Sequence, residues 1–150
     1  MNELGKRRSA QELAGAAADL RVVTSRLLRH LRTARGEIDV TPSQAVVLSR
    51  LGTDGFMSVA DLARAEKVRP QSMRTTLGAL EERGLVTRSP HPSDQRQVLM
   101  SLTPAGTRLL ESAHEAKEDW LATAIATKLS PAEQDALLGA IPLLDRLVEP

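Results

Sequence analysis

The chain contains no cysteine and no tyrosine, and only one phenylalanine and one tryptophan among its 150 residues. Without cysteine it has no disulfide framework, no thiolate nucleophile, no cysteine-based zinc site and no thiol redox sensor, and the cytoplasm is its expected compartment. Its three histidines, His30, His91 and His114, show no His-Glu-x-x-His spacing, so neither a metal nor a cofactor is expected. Phosphate-cradling glycine loops and nucleophile elbows are missing too, and no enzyme is expected. No apolar run approaches the roughly 18 residues that cross a bilayer. The basic cluster Lys6, Arg7, Arg8 is followed by Ser9, Gln11 and Glu12 instead of an apolar stretch, so neither a secretory leader nor a membrane span is expected.

What is present is a leucine- and alanine-rich composition, 41% hydrophobic, enough for one domain of ordinary size. The net charge of +1 hides an asymmetry. Residues 1–63 carry nine Lys and Arg against seven Asp and Glu, residues 64–102 seven against four, and residues 103–150 four against eight. A basic middle and an acidic C-terminal third suit a protein that offers one surface to a polyanion, although solvated helix faces give similar asymmetry.

Apolar residues recur at Leu13, Ala17, Leu20, Val23, Leu27 and Leu31, a stripe that predicts a long first helix to about Ala34. Thr41, Pro42, Ser43, Gln44 make a capping box that opens a second helix, ending near Gly52 or Gly55. Ser58 to Asp61 repeats the start signal for a short third helix. After a tight turn at Lys67 and Val68, Pro70 begins a fourth helix with Met73, Leu77 and Leu80 inward and Gly84 as its left-handed cap. Two short helices across a tight turn form a helix-turn-helix.

Beyond Gly84 the period becomes strand-like. Leu85 to Ser89 predicts one strand and the alternation of Val98, Met100 and Leu102 another, with a hairpin tip from Pro90 to Arg96. The predicted fold is therefore mainly α with a small antiparallel β wing: a winged helix-turn-helix at about 42–103, between helices at about 10–35 and 104–148. Ser130, Pro131, Ala132, Glu133 caps a last helix, which Pro142 is expected to kink. The terminal helices carry apolar residues on more than one face, as in Leu109, Ala113, Ala116 and Trp120 against Leu110, Leu121, Ile125 and Leu129. A homodimer would bury both faces; a monomeric bundle is the alternative.

With this order of elements the chain resembles the MarR family of bacterial regulators over nearly its whole length. The resemblance rests most on the stretch from Val68 through the Gly84, Leu85, Val86 helix exit to Asp94, Gln95, Arg96 and then Leu102, Thr103, Pro104, Ala105, Gly106. It implies a DNA-binding regulator of transcription, most often a homodimeric repressor on a pseudopalindromic operator, with Arg96 in the minor groove and Asp94 holding the shape of the wing. Family members often have Thr followed by Arg in the recognition helix, where this chain has Arg74 followed by Thr75. Base contacts are therefore not transferable from relatives.

Helical geometry points Gln71, Thr75, Gly78 and Glu82 outward, with Ser72 and Arg74 on opposite flanks. Gln71 suits an adenine edge, Arg74 a guanine or a phosphate, Thr75 offers a hydroxyl and a methyl, and Gly78 allows close approach. Arg64, Lys67, Arg69, Arg83 and Arg88 are candidate phosphate contacts to double-stranded DNA. The resemblance further implies a small-molecule effector, commonly an aromatic acid, where the dimerisation helices meet the winged domain. His30, Ser49, Arg50 and Trp120 are candidates to line that place, or else surface groups and interface filler. A winged-helix protein-interaction module, or a ligand-binding protein without specific DNA binding, is the competing functional class.

Overall fold

The computed structural model describes residues 8–34 and 39–150. Lys6 and Arg7 of the basic cluster, and residue 35 at the expected end of the first helix, lie outside the described residues. Two compact units divide the chain: residues 36–116, and residues 1–35 together with 117–150.

The first unit is a winged helix-turn-helix. Its elements are α2 (Pro42–Asp54), β1 (Met57–Ser58), α3 (Val59–Ala65), α4 (Pro70–Glu82), β2 (Val86–Pro90), β3 (Val98–Leu102) and the start of α5 (Pro104–Lys128). The Thr41 hydroxyl accepts the Gln44 N–H at 3.2 Å while the Gln44 side chain accepts the Thr41 N–H at 3.0 Å, the reciprocal cap that the sequence announces. Gly55, at φ +77°, ends α2. Ser58 caps α3, and Lys67 takes φ +54° in the turn to α4, a left-handed conformation uncommon for a residue with a Cβ.

At the far end of α4, Gly84 sits at φ +68°, the Leu85 N–H donates to the Leu80 carbonyl at 3.0 Å and the Gly84 N–H to that of Glu81 at 2.9 Å. These are the paired bonds of a Schellman cap. The chain leaves it directly into β2, which pairs antiparallel with β3 from Val86 opposite Leu102 to Pro90 opposite Val98. Sheet order is β1-β3-β2. The two-residue β1, pairing Met57 with Met100, is invisible to sequence periodicity because two residues define no alternation.

The buried core draws Val47, Leu48 and Leu51 from α2, Leu62 and Ala63 from α3, Met73, Leu77 and Leu80 from α4, and Leu85, Val86 and Met100 from the sheet side. Each large member contributes about 1.5–3 kcal/mol by leaving water. Gly106 is required where it stands, because a Cβ there would run into the carbonyl of Leu85. The Thr103 hydroxyl joins the same corner, donating to the Gly84 carbonyl at 2.6 Å and accepting the Gly106 N–H at 3.0 Å.

The second unit holds α1 (Ala10–Thr33), α5 from Lys117 onward, and α6 (Pro131–Val148). Ser9 with Glu12 and Ser130 with Glu133 form capping boxes at α1 and α6, the first of them not read from the sequence. α6 runs as one helix through Pro142. Neither α1 nor α6 buries a single residue. Among the described residues no helix is long and apolar enough to cross a membrane.

Candidate nucleic-acid interface

α4 presents Gln71, Ser72, Arg74 and Thr75 to solvent, because the 3.6-residue period that buries Met73, Leu77 and Leu80 turns them outward. Ser72 and Arg74 do lie on opposite flanks. Ser72 borders a cavity of about 300 Å³ with Pro42, Val68, Met73 and Thr76, while Arg74 lines a groove of about 610 Å³ running toward the wing. The Thr75 hydroxyl donates to the Gln71 carbonyl at 3.1 Å, which leaves its oxygen free to accept. Gly78 has no packing reason to be glycine, since a Cβ there would meet nothing within 4 Å.

The groove between α3, α4 and the wing is lined by four arginines, Arg64, Arg74, Arg88 and Arg96, together with Gln97. Their partners differ. Arg64 Nη1 bonds Asp61 at 2.9 Å, and Arg88 forms a two-pronged pair with Glu81, its Nε at 2.8 and 2.9 Å and its Nη2 at 2.8 Å from the carboxylate oxygens. Arg74 and Arg96 have no carboxylate within 4.0 Å among the described residues. The Ser58 hydroxyl, donating to Asp61 at 2.8 Å, holds that carboxyl below its ordinary pKa, with the Arg64 contact acting the same way. Arg83 reaches the Asp39 carbonyl, Lys67 occupies the turn, and Arg69 is the N-cap of α4 with no side-chain cap bond.

The tip of the wing is an organised loop. The Arg96 N–H donates to Asp94 Oδ1 at 3.0 Å, the Gln97 N–H to the Asp94 carbonyl at 3.0 Å, and the His91 N–H to the Gln97 carbonyl at 3.1 Å. His91 Nδ1 accepts the backbone N–H groups of Ser93 and Asp94, both at 3.2 Å. Two donors aimed at Nδ1 require that nitrogen to be unprotonated and place the ring proton on Nε2. Sequence reading treats His91 as a solvated loop residue, and no periodic or spacing signal marks it otherwise. Nor does any sequence signal mark Glu81, because a pair seven residues apart across a helix-to-strand corner follows neither the helical nor the strand rule.

Of the candidate effector residues, His30 and Trp120 come together in the second unit, with ring centroids 5.7 Å apart and planes 11° from parallel. Ser49 and Arg50 belong to α2 of the winged unit. Arg50 Nε bonds Glu66 at 2.8 Å, with Asp54 at 3.6 Å, and the Glu66 contact raises its pKa above the ordinary arginine value. Among the described residues no cluster of three or more His, Asp or Glu groups that could hold a metal comes together.

A helix-turn-helix beside a β hairpin, with an arginine-lined groove between them, defines a winged-helix DNA-binding protein. Residues 40–98 match the model of the MarR family. Over 136 residues, 91% of this chain and 94% of the relative, the sequence is 40% identical to an HTH-type transcriptional regulator of Mycobacterium tuberculosis. Two solved structures resemble it in fold alone. A transcriptional regulator of Thermotoga maritima superposes with a TM-score of 0.79 at 20% identity, covering 89% of this chain and 94% of that one. A substituted form of S. aureus MepR bound to an oligodeoxyribonucleotide superposes with a TM-score of 0.66 at 18% identity, covering 89% and 98%. The chain belongs to the MarR family: it is a DNA-binding regulator of transcription, in a family of regulators and not of enzymes.

Proposed function

We propose that this regulator is a homodimeric repressor in the cytoplasm that binds a pseudopalindromic operator and is released from it by a small-molecule effector, with an aromatic acid as the expected class. The observation that carries the DNA reading is the groove where Arg74 and Arg96, neither of them neutralised by a carboxylate among the described residues, flank the recognition helix and the wing. Gln71 and Thr75 read base edges in the major groove, Ser72 supports them from the flank, and Gly78 admits the DNA backbone. Arg96, held by Asp94, enters the minor groove, where narrow width concentrates negative potential. Lys67 and Arg69 at the start of α4 contact phosphates.

Dimerisation is supported by the apolar residues that α1 and α6 leave uncovered, Leu13, Val23, Leu138, Ile141 and Leu147 among them. Residues 42–103 act as the reading head and the helices at about 10–35 and 104–148 as the dimerisation element. The stacked His30 and Trp120 rings give an effector with an aromatic ring a surface to pack on.

Selection of duplexes from a random library, followed by a salt series on the winner, tests this. A palindromic winner with half-sites about one helical turn apart and a log-log salt slope of several units is expected. Arg96→Ala should weaken binding by a few kcal/mol at most, with loss of minor-groove preference. No enriched sequence, with only weak binding erased by salt, would sink the proposal and turn attention to a protein partner.

A further inference from the structure

Four arginines line the groove, and simple electrostatics would let each contact a phosphate. The geometry points to a different role for one of them: Arg88 is a strut, and Glu81 is the positioning residue that uses it to set the wing against the recognition helix. This rests on the DNA reading above and deepens it.

Glu81 lies in the last turn of α4 and Arg88 in the middle of β2, on either side of the corner at Gly84. Arg88 stands opposite Met100 in the β2–β3 ladder, so it leaves the sheet on the same face as that fully buried methionine, the face turned to the helices. From there its guanidinium meets both oxygens of Glu81 at 2.8–2.9 Å. A planar fork meeting both carboxylate oxygens fixes orientation as well as distance, which a single-point contact does not.

The corner needs such a brace. Gly84 lacks the Cβ that would restrict it, and the wing is a lever: five residues of β2 at about 3.3 Å each put the tip about 17 Å away. A swing of about 10° at the corner would move Arg96 by about 3 Å, beyond the tolerance of a hydrogen bond to DNA. The Schellman bonds close the backbone of the corner, the Thr103 hydroxyl ties the Gly84 carbonyl, and the fork between Glu81 and Arg88 adds the side-chain link from α4 to β2. The groove's arginines therefore divide their work. Arg74 and Arg96, without carboxylate partners among the described residues, face the nucleic acid, while Arg88, its side chain still 59% exposed, has its guanidinium oriented by Glu81.

The two roles of Arg88 predict opposite signs for one substitution. If Arg88 were a phosphate contact, removing the neighbouring negative charge in Glu81→Gln would strengthen DNA binding. As a strut, Glu81→Gln loosens the wing and weakens binding to the selected duplex by about three- to tenfold, with non-specific binding unchanged or raised.

The experiment measures affinity for the selected duplex and for a scrambled one, across a salt series, in full-length wild type, Glu81→Gln, Arg88→Ala, Arg88→Glu, Arg96→Ala and the double exchange Glu81→Arg with Arg88→Glu. Arg96→Ala should lower the salt slope by about one unit, the loss of one cation that displaces counterions from the minor groove, whereas Arg88→Ala should lower specific affinity and leave the slope unchanged. The double exchange should restore most of the specific-over-scrambled ratio lost in Arg88→Glu alone. A tighter Glu81→Gln, a slope reduced by about one unit in Arg88→Ala, or failure of the exchange to rescue would each overturn the strut. Wild type that selects no duplex at all would overturn the DNA reading, and the strut with it, and is distinguished from those outcomes by the wild-type data alone.

Discussion

The winged unit and the terminal-helix unit use leucine in opposite ways. In the winged unit Leu62 and Leu80 are wholly buried, while in the terminal unit Leu147 is 70% exposed and α1 and α6 bury nothing. The difference is not one of composition, since both are rich in aliphatic residues. A helix in the winged unit meets other helices and a sheet and closes a core of its own. α1 and α6 carry the stripe that would enter such a core and leave it uncovered, as expected of surfaces finished by a second copy of the chain.

The largest effect is expected in the winged core, where Leu80→Ala should destabilise by about 2–5 kcal/mol in chemical denaturation, because it removes transfer energy and leaves a cavity. Gly106→Ala should cost about 1–3 kcal/mol by forcing the start of α5 away from the Leu85 carbonyl. In the terminal unit the readout should be association instead. Ile141→Asp with Leu144→Asp should shift sedimentation to a monomer while near-native winged-domain stability persists, and unchanged sedimentation would argue that those faces are not the interface.

A subtler contrast sits in the recognition helix. Gly78→Ala should stabilise the unit by about 0.5–1 kcal/mol on helix propensity, since the added methyl meets open space, and yet weaken DNA binding if the groove wall comes close there. Gain in both would remove Gly78 from the interface. At the wing tip, His91→Asn keeps an acceptor near the position of Nδ1 and should bind the selected duplex within about threefold of wild type, whereas His91→Ala should bind less well.

The smallest effect should come from the capping carboxylates. Ser9, Ser58 and Ser130 hold Glu12, Asp61 and Glu133 below their ordinary pKa values. A carboxylate whose folded pKa is depressed contributes stability that is present above the ordinary carboxylate range and is lost as pH falls through the depressed value. The stability difference between wild type and Glu133→Gln should therefore be present at neutral pH and shrink as pH drops below about 4.

Much of this architecture was legible from residues close together in the chain. Capping boxes at Thr41 and Ser130, the start at Ser58, the left-handed Gly84 and the change of period after it are local signals, because a cap or a turn is satisfied within four residues. The outward face of α4 was legible for the same reason: once Met73, Leu77 and Leu80 are inward, geometry assigns the rest. Strand β1 escaped because it is too short to show a period, and the organising role of His91 because a loop's internal bonds follow no spacing rule.

By itself, then, the amino-acid order determined the elements, their ends, which face of each is apolar and which candidate residues stand on a groove-facing helix. Those properties depend on φ, ψ and side-chain period within one or two turns. Only the tertiary structure decided which charges remain available. Arg64 has Asp61 three residues before it on one helix, a pairing that spacing alone allows, but Arg74, Arg88 and Arg96 look alike in the sequence, and Glu81 occupies only the second of these, because that partner is chosen by distance in space across a corner, and a guanidinium already bonded to a carboxylate has less of its charge to offer a phosphate.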